Sequence, residues 1–133
     1  MPYPDEIVAL IHAASLGTFG TDLFTGTKAV IPPGPGPFTA LIETGGSGPD
    51  YIQNKKGPAY RWPGLQITVH AESTVVAKAR CDALYVLLAA IENQTIGGVW
   101  YVKARPLQEP HDMGLDDLSR PMWQFNVLFE KGT

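Results

Sequence analysis

The stretch that most constrains this chain is residues 65–93, where a strand pattern runs through a capping residue into a long amphipathic helix. Leu65, Ile67 and Val69 alternate with Gln66, Thr68 and His70, the period of two expected of a strand that buries one face and wets the other. Ser73 follows at once. Its hydroxyl can accept a hydrogen bond from an unpaired amide in the first turn of a helix starting near Thr74. Val76, Ala77, Cys81, Leu84, Leu88 and Ile91 then recur three and four apart, with Ala83 and Leu87 widening the stripe and Lys78, Arg80, Asp82 and Glu92 around it. The predicted helix makes about five turns at 3.6 residues each, loses its pattern at Asn93-Gln94-Thr95 and closes at Gly97-Gly98. The rest of the chain must pack on this unit, which carries no chemistry.

Towards the N-terminus, Asp5 can cap a shorter helix whose apolar face is Ile7, Val8, Leu10, Ile11 and Ala14, stopping near Leu16-Gly17. Thr18 to Lys28 reads as a loop that plugs Leu23 and Phe24 into the core, and Ala29-Val30-Ile31 as a brief strand. Residues 32–37, Pro-Pro-Gly-Pro-Gly-Pro, then forbid helix and ladder pairing alike, because proline has no amide donor and restricts its predecessor. Phe38 to Glu43 is a strand with Phe38, Ala40 and Ile42 opposed to Thr39, Leu41 and Glu43.

From Thr44 to Pro63 the pattern disappears among Gly45-Gly46-Ser47-Gly48-Pro49 and Lys55-Lys56-Gly57-Pro58. A loop of about twenty residues is unusual in so small a protein, and such loops are more often functional than merely connecting. It reads as an extended arm. Tyr51, Ile52, Tyr60 and Trp62 are too many apolar groups for a solvated linker, so the arm either reaches a neighbouring molecule or folds back over its own sheet. Val99 to Arg105 is a further strand rich in β formers. Pro106 to Arg120 is a second irregular stretch, with Glu109, His111, Asp112, Asp116 and Asp117. In the last strand, Trp123, Phe125, Val127 and Phe129 alternate with Gln124, Asn126, Leu128 and Glu130. The expectation is a single α+β domain over residues 1–133: a mostly antiparallel sheet of about four or five strands, packed by one long and one shorter helix, with long extended loops.

Little chemistry is visible. The three histidines, His12, His70 and His111, show no spacing that puts two nitrogens on one helix face. Gly45-Gly46-Ser47-Gly48-Pro49 lacks the glycine pattern of a nucleophile elbow. Cys81 lies on the apolar helix face, where a thiol is a small buried hydrophobe. The loop carboxylates Asp112, Asp116 and Asp117 beside His111 do not follow the calcium-loop order. Prolines interleave the glycines, which removes the amides a phosphate cradle needs. We therefore expect no cofactor and no metal. A net charge of −3 argues against affinity built on neutralising phosphates. One cysteine fits a reducing compartment, and no signal segment or 18-residue apolar run appears, so the expectation is a soluble protein made in a cytoplasm, without a membrane partner. One enzymatic or ligand-binding alternative stays open, in which His70, His111 and Asp112 converge beneath an apolar cleft.

The order of parts carries a resemblance. A strand ending in Glu43-Thr44-Gly45-Gly46, a long arm, Val69-His70-Ala71 leading into the helix, and the closing run Asp117-Leu118-Ser119-Arg120-Pro121-Met122-Trp123-Gln124-Phe125-Asn126-Val127 together resemble the minor capsid or tail-terminator proteins of long-tailed bacteriophages. The similarity covers most of the chain but rests on no catalytic signature. Tail-completion and head-tail joining proteins share its size and α+β character. The resemblance implies a virion protein at the tail-neck junction and not an enzyme. Its subunits would form a homo-oligomeric, typically hexameric ring that caps the tail tube protein, ends polymerisation and meets the head-tail connector protein, with DNA passing through. The candidate interface residues, inferred from loop position, are Tyr51, Ile52, Lys55, Lys56, Tyr60 and Trp62 of the arm and His111, Asp112, Asp116 and Asp117 of the second loop.

Overall fold

The structure, a computed structural model, describes residues 3–26, 31–50 and 60–132, without the side chains of Tyr3, residues 46–50 and Tyr60. The elements run α1 Tyr3–Ala13, β1 Leu23–Thr25, β2 Phe38–Asp50, β3 Tyr60–His70, α2 Thr74–Ala89, β4 Glu92–Ile96, β5 Val99–Pro106, β6 His111–Leu115 and β7 Pro121–Gly132. The seven strands form one sheet in the order β1-β2-β3-β7-β5-β4, with β6 also paired to β7. Every pairing is antiparallel except that of β1 with β2. The class is the α+β one expected; the strand count is higher.

Ser73 caps α2 as its position predicts: its backbone is extended and its Oγ accepts from the Val76 amide at 3.2 Å. Ala77, Cys81, Leu84 and Leu88 are buried and meet Leu65, Ile67, Val69, Phe125, Val127 and Phe129 from β3 and β7 in one core. Burial pushes the Cys81 thiol up to about 12, which keeps it protonated and inert at neutral pH. Val76 departs from expectation. It lies at the margin of the helix and is more than a third exposed. The helix also ends at Ala89, so Ile91 is buried beyond it and not on it. Gly97-Gly98, read as a helix stop, instead turns β4 into β5: both glycines have positive φ (59° and 82°) and Ile96 pairs directly with Val99. A two-residue hairpin turn of this kind requires positive φ at both positions.

α1 begins two residues before Asp5, which therefore lies within the first turn. It touches both β1 and β4, the strands at the two ends of the sheet order, and so closes one side of the core with Ile7 and Ile11. Its C-terminus is locked by paired bonds, Ser15 N to His12 O at 2.9 Å and Leu16 N to Ile11 O at 3.1 Å. Ser15 takes the left-handed position (φ 60°) that glycine usually fills in this motif. Glu6 is wholly buried, and its Oε1 accepts from the Tyr101 hydroxyl at 2.7 Å and from Lys131 Nζ at 2.8 Å. This ties the first helix to β5 and the end of β7.

Leu23 is fully buried as expected, but in a short strand and not a loop; Phe24 is only half-buried, its ring 6.4 Å from that of Phe38. Of the brief strand expected at Ala29-Val30-Ile31, the first two residues lie outside the described residues, and Ile31 is in no strand.

Candidate functional site

Two regions were expected to carry function, and among the described residues both hold more strand than their composition suggests. The ends of the arm are strand. β2 continues to Asp50 and β3 starts at Tyr60, with Asp50 paired to Tyr60. Register shifts fall between Thr44 and Ser47 and between Ser47 and Asp50, where β2 uses three residues against two on β3. Each extra residue reverses the faces that follow it, which is why no alternation is legible there. These ends belong to the chain's own sheet, since Tyr60 and Arg61 also pair with Gly132 and Lys131 of β7. Trp62 is half-buried with Lys103 Nζ 5.6 Å from its ring centre. Tyr51, Ile52, Lys55 and Lys56 lie outside the described residues, as does the Tyr60 side chain.

The second region, read as irregular, contains β6. This strand pairs with β7 on the side away from β3, in line with β5. Among the described residues its other edge has no strand partner. Asp116 closes the turn that follows. One oxygen of its carboxylate accepts from the amides of Leu118 and Arg120, each at 2.9 Å; the other accepts from Arg120 Nε and His70 Nδ1, again at 2.9 Å. Burial disfavours the charge, but the Arg120 amide, His70, the Leu118 amide and the Arg120 guanidinium outweigh it and hold this carboxyl well below the usual carboxylate range. Arg120 Nη1 then donates to the carbonyls of Pro32 (2.7 Å) and Gly34 (3.2 Å), and its guanidinium lies 5.5 Å from the centre of the Phe38 ring. One turn thus clasps the proline-rich segment, the end of β3 and the start of β7. Asp116 is one of the candidate interface residues, and its carboxylate is hydrogen-bonded within its own chain. The local signal was present in the sequence, a carboxylate two and four residues before the amides it accepts. His70 and the proline-segment carbonyls were not inferable from it.

The convergence of His70, His111 and Asp112 that the enzymatic or ligand-binding alternative requires does not occur. His70 bonds Asp116, His111 Nδ1 lies 3.2 Å from the Glu109 carbonyl, and Asp112 accepts from the Gly114 amide at 2.7 Å. Asp112 pairs in register with Trp123 and His111 with Gln124, so their side chains point to opposite faces of the sheet. Among the described residues no three His, Cys, Asp or Glu side chains gather in a way that holds a metal ion, and no helix is long and apolar enough to cross a membrane. The cavity beside the clasp, lined by Ile31, His70, Asp116, Asp117, Leu118 and Arg120, measures about 330 Å³.

What the chain does present is surface. Val75 and Val86 on the outer side of α2 are 78% and 67% exposed, and Leu115 and Leu118 around the clasp turn are 63% and 55% exposed. Exposed apolar side chains of this size are available for contact with other macromolecules. Residues 10–131 match the family model described as "Bacteriophage tail terminator protein", and the chain belongs to that family. It is a structural protein of the phage tail. No curated protein matches it in sequence. Among solved structures, it resembles a chain of the "Virion of native gene transfer agent (GTA) particle" at a TM-score of 0.56 and 16% identity, covering 93% of this chain and 84% of that one. That likeness is one of fold.

Proposed function

We propose that copies of this chain form a ring, hexameric by the family resemblance, that seats on the end of the tail tube, stops its polymerisation and offers its other rim to the head-tail connector. The observation that carries this reading is the family match over residues 10–131. The surfaces support it, since a closed ring is built from two unlike patches on each subunit. In this reading the arm residues Tyr51, Ile52, Lys55, Lys56, Tyr60 and Trp62, with His111 and Asp112 of β6 and Asp117 after it, contact neighbouring copies or other tail proteins. Asp116 supports that surface from within. The net charge of −3 suits a ring through which DNA must pass without being held. The protein acts by fit and not by catalysis.

Electron microscopy of the purified protein added to tail tubes tests the proposal. Rings at one tube end are expected, together with overlong tubes when the protein is left out of assembly. Normal-length tails that fail to acquire heads would instead assign the chain to head-side connection or tail completion. A monomer that leaves tube length unchanged would end the ring reading.

A further inference from the structure

Phe38, His70, Met122 and Gly114 form one row across the sheet, from β2 through β3 and β7 to β6. An exposed apolar feature lies at each end of that row. Beside β2 is a groove of about 370 Å³ lined by Pro37, Val75, Val76, Ala79, Arg80 and Ala83. It opens on the side of α2 away from β7, because Lys78 and Tyr85, on the helix's other flank, lie against Trp123 and Phe125 of β7. At the end of β6, the clasp turn carries exposed Leu115 and Leu118, and Met113 of the strand is exposed too. Three strand spacings of about 4.8 Å, roughly 14 Å, separate the two ends of the row.

The two features are complementary in charge as well as in polarity. Asp117, between Leu115 and Leu118, is exposed and has no hydrogen bond or ion pair among the described residues. Arg80 stands on the rim of the groove with one nitrogen bonded to the Leu16 carbonyl at 2.6 Å, and a guanidinium has five donors in all. The clasp holds the turn rigid, so little ordering entropy is lost when it docks.

Resting on the ring reading above, we propose that the Leu115–Leu118 turn of one copy seats in the α2 groove of the next, with Asp117 facing Arg80. The occupant is a second copy because groove and turn sit at opposite flanks of one row. Each subunit therefore offers its turn at the level where its neighbour offers the groove, and a head-to-tail contact without axial rise closes a ring instead of extending a filament.

Charge exchange tests this in the full-length protein. Asp117→Arg and Arg80→Asp should each raise the concentration for half-assembly by about tenfold or more, since like charges then face one another. The two together should return it to within about threefold of the original. Because Arg80 also bonds Leu16, a second pair guards against misfolding: Leu118→Cys with Ala79→Cys in one chain should give, on oxidation, a ladder of covalent oligomers ending at the ring, and neither substitution alone should do so. Rings that assemble undisturbed by both single charge reversals, or that give no ladder, overturn this docking and leave the ring standing. A cross-link from Leu118 to a tail-tube subunit would overturn it too, by giving the turn to another protein. An unsubstituted protein that forms no ring, alone or on tubes, overturns docking and ring together.

Discussion

Among the described residues, the buried Glu6 and the largely buried Asp116 are two carboxylates held in opposite ways. Asp116 receives four hydrogen bonds, three of them from residues two to four positions further along the chain. Glu6 receives its two from Tyr101 and Lys131, 95 and 125 positions away, and its Oε2 is buried with no hydrogen-bond partner. The first site is built by local backbone geometry and needs only a neighbouring strand to complete it. The second exists only once the whole sheet is in place, because Tyr101 and Lys131 become opposite neighbours when β5 pairs with β7. The lesson is about where a charge can be removed safely. A locally satisfied carboxylate is held mainly by its own turn, whereas one satisfied across the fold balances a cation that only the assembled sheet brings to it.

The sharpest way to break the comparison is at Glu6. Glu6→Ala removes the carboxylate to which Lys131 and the Tyr101 hydroxyl both donate in a nearly dry site, and losing one partner of a buried pair costs about 3 kcal/mol or more. Chemical denaturation should show this as a lower midpoint with an unchanged slope. Pairing Glu6→Leu with Lys131→Met should recover most of the loss, since removing both charges is often neutral. A double variant no more stable than Glu6→Ala would mean that packing, and not the lost charge balance, sets the cost.

Asp116→Asn should cost less, about 2 kcal/mol, because the amide keeps an acceptor for the two backbone amides while its NH2 replaces the oxygen that accepted from Arg120 Nε and His70. The same residue gives the protein a pH dependence of definite sign. A carboxyl whose pKa is depressed on folding contributes stability above its unfolded pKa, near 3.9, and that contribution is lost as pH falls from there through the folded value. The unaltered protein should therefore lose stability as the pH falls below about 4, and Asp116→Asn should show a shallower fall over the same range. Parallel curves would show that other carboxylates govern acid unfolding.

The same contrast between local and distant determinants explains which parts of the fold were legible. The strand at Leu65–His70, the Ser73 cap, the buried stripe Ala77, Cys81, Leu84 and Leu88, and the alternation of β7 are each set within a short window. β4 was not legible because its Glu-Asn-Gln-Thr-Ile sequence is polar and only Ile96 is buried. β1 has three residues and exists only by pairing beside β2. The hairpin ends were masked by two bulges, and β6 by the exposure of four of its five residues. Of the site, the Asp116 turn was a local signal, while its bonds to His70 and through Arg120 to the proline segment depend on pairing across 46 and 88 positions.

The smallest effect concerns backbone alone. Ser15 holds φ of 60° at the end of α1, where it donates to His12 and sets up the Leu16 bond to Ile11. A residue with a Cβ is strained in that region and glycine is not. Ser15→Gly should therefore stabilise the protein, by about 0.5 to 1 kcal/mol once glycine's greater freedom in the unfolded chain is set against the relief. Neither carboxylate network touches this position, so the gain should add to the Glu6 and Asp116 changes within about 0.5 kcal/mol. If the serine proves better than glycine, its hydroxyl makes a contribution at the helix end larger than the strain. The 12–18 segment, which also lines a polar cavity of about 320 Å³ with Asp22 and Arg80, would then be held by its side chains more than by its backbone.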